Sequence, residues 1–261
     1  MTILEIVDLS INFGGLKAVD SLSFAVNEGQ IFGLIGPNGA GKTTVFNCIT
    51  RYYQPNQGRI VFGGQNILDI RSHDVIGKGI ARTFQNMELF KSMTVLDNLL
   101  VGQHCHLDTN VFSEALSLPV KKRKEREISE KAQKVMELLG LSKYARDLVL
   151  SLPYGMQKMV EMGRALVSEP KLILLDEPAA GMNPSESKEL SSLIKRLRDT
   201  RGITVLVVEH DMAMVRSICD EICVMDFGRK IAQGSADEIC RNPQVIEAYL
   251  GCEEEGSGCF R

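Results

Sequence analysis

GPNGAGKTT, residues 36–44, follows the apolar run 30–35 and leads into a stretch with helical spacing. Residues 36–43 fit G-x-x-x-x-G-K-[ST], a loop whose glycines let the backbone curl until its N–H groups face phosphate oxygens. A helix beginning near Lys42 adds the positive end of its dipole at the same place. Gly36, Pro37, Asn38, Gly39, Ala40 and Gly41 then form the phosphate cradle. Lys42 reaches the β- and γ-phosphates, the Thr43 hydroxyl goes to Mg²⁺, and Thr44 completes the nucleotide-binding stretch.

Such a cradle needs a carboxylate for the metal. Leu172-Ile173-Leu174-Leu175-Asp176-Glu177 is an apolar strand that ends in two acids. Asp176 is placed to hold the Mg²⁺ shell. Glu177, next along, can polarise a water for attack on the γ-phosphate. Many strands end in an acid, so the pair gains its meaning only from the loop at 36–43. No Asn-Lys-x-Asp stretch occurs to read guanine, so the residues do not read as a GTPase.

Around these motifs, segments 3–13, 22–26 and 30–35 read as strands, with Leu22, Phe24 and Val26 on one face. Residues 58–62 read as another. From about 86 to 165 the pattern is mostly helical, with a capping start at Thr94-x-x-Asp97. A helix is legible from Met156 onward, where Met156, Met159, Val160, Gly163, Leu166 and Val167 share a face. Strand and helix then alternate. KLILLDEP is a buried strand, and Asn183 caps a helix over 185–200 with Pro184 at its start. GITVLVVEH is the next strand, Asp211 starts a helix, and EICVMDFGRKIAQG reads as a hairpin around Phe227-Gly228. Apolar runs alternating with helices imply a parallel sheet covered on both faces.

The 261 residues are 44% hydrophobic and 24% charged, a balance that supports a sizeable core. A net charge of −3 gives no electrostatic footprint for nucleic acid, so none is expected as a partner. No apolar run approaches the roughly 20 residues of a membrane helix. The N-terminal stretch lacks the basic-then-apolar layout of a signal peptide, and a cytoplasmic location is expected. Seven cysteines without a CxxC pair read as reduced, mostly buried thiols. Adjacent residues such as the His-Cys-His run at 104–106 rarely converge on one metal ion, and KKRKEREISEK (121–131) mixes charge signs as a solvated helix start does.

GPNGAGKTT, Gln85 in RTFQ, LPYGMQ (152–157), LLDEP (174–178), AAGMNP (179–184) and VVEHD (207–211) stand in the order and spacing of ABC-type ATPases. The chain resembles that family over residues 2–250. It looks most similar to the ATP-binding subunits of branched-chain amino acid importers, on the strength of GLKAVD, RTFQNMELFKSMTVLDNLL, DEPAAGMNP and the ending NPQVIEAYLG. The resemblance implies an α/β fold: a P-loop NTPase (RecA-like) core with an N-terminal antiparallel β subdomain and an inserted helical subdomain. Residues 1–85 are the first part of the core, 86–164 the helical subdomain with the signature turn, 165–251 the second part of the core, and 252–261 a flexible tail.

By the same resemblance, Phe13 is similar to the aromatic residue that stacks on adenine. Gln85 resembles the residue that touches Mg²⁺ and the attacking water, in a loop that senses the transporter. His210 resembles the switch histidine on the γ-phosphate. Asn183 stands where the family often has aspartate in the loop crossing the dimer. Leu152-Pro153-Tyr154-Gly155-Met156 lies in register with the LSGGQ-type signature, which heads a helix and offers N–H groups to ATP bound on the other subunit. Gly155 would face the partner's ATP. Pro153 replaces the usual serine, and Tyr154 replaces a glycine.

The implied function is Mg²⁺-dependent ATP hydrolysis driving a membrane permease, with branched-chain amino acids as cargo. A second, identical or different, ATPase subunit completes each site. A periplasmic or extracellular binding protein contributes indirectly, and the chain sits peripherally on the inner face of the cell membrane. Exporter and lipid-transport ATPases share these motifs and stay open as alternatives. Non-transport ABC ATPases usually pair two cassettes or insert long coiled coils, and this chain has neither. The apolar stretch Met87–Met93 is the expected permease-docking surface.

Overall fold

In β2 (Leu16–Asn27) the side chains of Leu22, Phe24 and Val26 are buried together, as their alternation requires. The strand is a computed structural model's answer to a longer pairing than the alternation alone indicated. It starts at Leu16 because a Gly14-Gly15 turn pairs Leu16 with Phe13 of β1 (Thr2–Phe13), before any residue enters the core. The structure describes residues 1–83, 88–103 and 118–250. Gln85, Met87, the 104–106 run and the tail 252–261 lie outside the described residues.

β1 and β2 join β4 (Gln57–Phe62) and β5 (Gln65–Asn66) in an antiparallel sheet of order β2-β1-β4-β5. A second sheet contains β3 (Ile31–Ile35), β6 (Ile80–Arg82), β7 (Leu172–Asp176), β8 (Thr204–Val208), β9 (Glu221–Asp226) and β10 (Arg229–Gly234). Its order is β10-β9-β3-β8-β7-β6, parallel except for the β9–β10 hairpin. β6 has only three residues, too few to show an alternation, and it forms because the edge of β7 offers unpaired backbone groups.

Every residue of β3, β7 and β8 is buried, as strands covered on both faces must be. Their period of two divides them between layers. Leu172, Leu174, Leu206 and Val208 pack with Leu9, Phe24 and Phe46, toward the antiparallel sheet and α1 (Lys42–Ile49). Ile173, Leu175, Val205 and Val207 pack with Leu99, Val160 and Ile194. These last belong to α2 (Val95–Val101), α4 (Tyr154–Leu166) and α5 (Pro184–Arg201), and α3 (Leu118–Leu138) adds Ala132 and Val135. Burying each such side chain contributes about 1.5–3 kcal/mol. A third cluster, with Ile35, Val215 and Tyr249, brings in α6 (Met212–Ile218), α7 (Ala236–Arg241) and α8 (Pro243–Leu250).

The local signals reappear as geometry. Thr94 and Asp97 form a capping box at α2, and Asn183 and Glu186 form another at α5 with Pro184 in the first turn. The Asp211 carboxylate accepts from the Ala213 and Met214 N–H groups. Phe227 (φ 42°) and Gly228 (φ 80°) both take left-handed backbone, the geometry of a two-residue hairpin turn whose twist matches its strands.

Candidate nucleotide-binding site

The strand order builds the site. β3, β8 and β7 are neighbours in the parallel sheet, so the loops after Ile35, Asp176 and Val208 emerge side by side at its carboxyl edge. That edge is where open α/β sheets bind ligands. The sheet thereby brings together the cradle at 36–44, the Asp176-Glu177 pair and His210.

In the cradle, Gly36 (φ 150°) and Gly41 (φ 100°) have no room for a side chain. A Cβ on Gly36 would stand 2.0 Å from the Met225 carbonyl oxygen, and one on Gly41 2.4 Å from that of Ala18. Glycine at these two positions is therefore required by the fold itself. Lys42 is buried, and its Nζ donates to the Gly36 and Pro37 carbonyls at 2.7 and 2.9 Å. Burial pushes its ammonium below the ordinary lysine range, while the charges of Glu177 and Asp176 pull it back up. Asn38, Gly39 and Thr43 are exposed, and the first-turn N–H groups of α1 have no partners within the helix.

Asp176 lies buried at the end of β7. One oxygen, Oδ2, accepts from Arg82 Nη2 at 2.8 Å. Arg82 also donates to the Asn47 carboxamide and sits 5.5 Å from the centre of the Phe46 ring. The other oxygen, Oδ1, is buried without a hydrogen-bond partner among the described residues. A buried carboxylate oxygen left over in this way fits an oxygen-ligated cation such as Mg²⁺. Sequence reasoning passed over Arg82, whose signal was the basic residue ending the short apolar run Ile80-Ala81. Because both partners are nearly dry, Arg82→Met should cost about 3–5 kcal/mol of unfolding free energy, leaving Asp176 charged and unpaired. Denaturant titration of the full chain measures it. A loss below 1 kcal/mol would show that Asp176 does not depend on that guanidinium.

Glu177 and His210 meet. His210 Nε2 lies 2.8 Å from Glu177 Oε1, and with Glu177 ionised that contact requires a proton on Nε2. The Glu177 backbone is left-handed, at φ 48°, and its N–H donates to the Val208 carbonyl at 2.9 Å. Glu209 is a second residue missed from the sequence, although it ends an apolar strand in an acid just as Asp176 does. It is buried, and its carboxylate takes N–H bonds from Ala179, His210 and Asp211. Burial raises its carboxyl above the ordinary range and those three N–H bonds pull it back. An open cleft of about 760 Å³ beside this pair is lined by Glu177, Ala180, Met182, Lys188 and His210, among others.

The Phe13 ring is half-exposed and held edge-on against Tyr53, with centroids 5.0 Å apart. The signature-like turn differs from expectation in where its helix begins. α4 starts at Tyr154, with Pro153 as its cap residue, so Tyr154 and Gly155 are already helical. The Tyr154 hydroxyl donates to the Ala180 carbonyl at 3.3 Å, and a Cβ on Gly155 would stand 3.0 Å from Glu186 Oε1. The turn thus rests on the loop and cap that follow Glu177. Among the cysteines, burial pushes the thiols of Cys48, Cys219 and Cys223 up to about 12, which leaves them unreactive. No helix among the described residues is long and apolar enough to cross a membrane.

A phosphate cradle between a central parallel strand and a helix, with an acid pair on the next strand but one, defines the class as a P-loop nucleotide-binding protein. Comparison with known proteins narrows it. Residues 19–180 match the ABC transporter family model, and residues 229–251 match the branched-chain amino acid ATP-binding cassette transporter model. The chain is 46% identical over 249 residues to the high-affinity branched-chain amino acid transport ATP-binding protein BraF of Pseudomonas aeruginosa, covering 95% of this chain and 98% of that one. Against LivG of Escherichia coli, of the same description, it is 43% identical with the same coverage. The crystal structure of the ADP conformation of an ATP-binding cassette of an ABC transporter superposes with a TM-score of 0.85 at 36% identity, covering 96% of this chain and 99% of that one. The chain belongs to the ABC transporter ATP-binding subunits, within the branched-chain amino acid subfamily.

Proposed function

We propose that this chain hydrolyses Mg-ATP to drive import of branched-chain amino acids through a membrane permease to which it docks peripherally from the cytoplasmic side. The observation that carries the chemistry is the Glu177–His210 contact of 2.8 Å at the sheet edge that also bears the cradle. The cargo rests on the similarity to branched-chain amino acid transport ATP-binding proteins over 95% of the chain.

In this reading the N–H groups of residues 36–44 bind the phosphates, Lys42 adds the side-chain cation, and Phe13 stacks on adenine. Thr43, Asp176 and Gln85 hold Mg²⁺, which when bound neutralises charge on the phosphate oxygens. Glu177 takes the proton of the attacking water. His210 holds the carboxylate of Glu177 toward that water and stands ready for the γ-phosphate. Gly155, at the start of α4, faces ATP on a second ATPase subunit. Residues 86–164 act as the arm that carries this turn, between the two parts of the core at 1–85 and 165–251.

The permease would contact the region after Gln85. Phe90 is exposed there, a bridge pairs Thr94 with Leu148, and Leu148 and Leu150 are exposed as well. Lys42→Ala removes a charge-assisted contact of about 1.5–3 kcal/mol, so Mg-ATP affinity should fall roughly ten- to hundredfold. Equilibrium binding of a fluorescent ATP analogue to the full chain checks this, and unchanged affinity would remove Lys42 from the phosphate site. The proposal as a whole is tested by purifying the chain from membranes with its permease and measuring ATP-dependent leucine uptake in vesicles. Uptake that persists with Lys42→Ala, or a permease that carries a different cargo, would overturn it.

A further inference from the structure

Glu209 spends its whole carboxylate on backbone. Oε1 accepts from the Ala179 N–H at 2.7 Å, while Oε2 accepts from those of His210 at 3.0 Å and Asp211 at 3.4 Å. Ala179 lies two residues beyond Glu177 in the loop leaving β7, and His210 follows Glu209 in the loop leaving β8. A single buried side chain, 3% exposed, therefore ties the loop that carries Glu177 to the loop that carries His210.

Glu177 needs such a tie. Its left-handed φ of 48° is costly for a residue with a side chain and persists only where the surroundings over-determine it. The bond from the Glu177 N–H to the Val208 carbonyl fixes the loop on one side of the residue. The bond from Ala179 to Glu209 fixes it on the other. Among the described residues Glu209 reaches Glu177 and His210 through this backbone, its two carboxylate oxygens facing three N–H groups.

We infer that Glu209 is a positioning residue for ATP hydrolysis, setting the separation and orientation of the Glu177–His210 pair through the backbone N–H groups of Ala179 and His210. The inference rests on the reading of Glu177 as the base and His210 as its partner. Glutamine at 209 is the sharpest probe. Its amide offers one acceptor oxygen and one NH₂, so either Ala179 or His210 must face a donor with a donor, whichever way the amide turns.

In the full chain assembled with its transporter, Glu209→Gln should lower kcat for ATP about tenfold or more, as misplacement of reacting groups does. The KM for ATP should stay within about twofold, because no phosphate contact is lost. The His210 ring resonances, assigned by their absence in His210→Ala, should move toward their positions in Glu177→Ala, where the contact is lost. If the amide variant fails to fold, Glu209→Asp keeps the charge and both acceptors on a stem one methylene shorter, and the same kcat, KM and ring shifts are read from it. Wild-type kcat, or a lowered kcat with His210 resonances unmoved, overturns the positioning role while Glu177→Gln remains inactive. Full turnover in Glu177→Gln would instead overturn the underlying assignment of the base.

Discussion

Glu177→Gln is expected to leave Mg-ATP binding intact and to slow hydrolysis by about 10²–10⁴-fold, the range that a positioned general base contributes. The amide cannot take a proton from water, yet its oxygen can still accept from His210 Nε2 across the 2.8 Å contact. The side chain is close in shape to the native one, and the left-handed backbone at 177 is unchanged in its demands. Loss of turnover without loss of affinity is therefore a statement about the proton acceptor, not about the fold. Phosphate release in the assembled transporter, set beside equilibrium nucleotide binding, separates the two. Turnover close to wild type would remove Glu177 from the base role.

The second large effect concerns the turn at the head of α4. Gly155→Asp should abolish ATP hydrolysis by the assembled transporter while the single chain keeps its affinity for nucleotide, since none of the cradle residues is altered. Like charges about 4 Å apart repel by roughly 4 kcal/mol at an effective dielectric of 20, enough to prevent a partner's γ-phosphate from seating there. The fold adds a local effect that the sequence did not disclose. A Cβ at 155 stands 3.0 Å from Glu186 Oε1, and Glu186 completes the capping box with Asn183. The new carboxylate thus meets a charge in its own chain before it meets the partner's phosphate.

Pairing Gly155→Asp with Glu186→Gln resolves the two effects. The amide relieves the internal repulsion and still serves a capping box, in which glutamine is an accepted third residue. If the double variant stays inactive in the complex, the partner's nucleotide is what the aspartate opposes. If it recovers hydrolysis, the turn acts only as a support for α5.

Much of this protein was legible in its sequence because the signals are local. The glycine spacing of 36–43 reports backbone shape directly. Thr94, Asn183 and Asp211 announce helix starts because a cap acts within three residues of itself, and Phe227-Gly228 announces a hairpin because the turn is two residues long. The apolar runs of β3, β7 and β8 identified strands buried on both faces. Asp176 and Glu177 stood out because a phosphate loop such as 36–43 calls for a carboxylate, and an apolar run ends in two.

What only tertiary structure decided is how those pieces meet. Strand order is a long-range property, and the arrangement β3-β8-β7 is what sets three separate loops at one edge. Arg82 reaches Asp176 across 94 residues of chain, and Glu209 reaches the Ala179 N–H across 30. Neither partnership leaves a periodic or spacing signal, because each is made by side-chain direction and burial after the sheet has closed. The same holds for Gly155 against Glu186 and Tyr154 against Ala180. Motif chemistry travels with residue type, so sequence carries it; the pairing of charges in a low-dielectric interior exists only once the chain has excluded water, so the fold alone creates it.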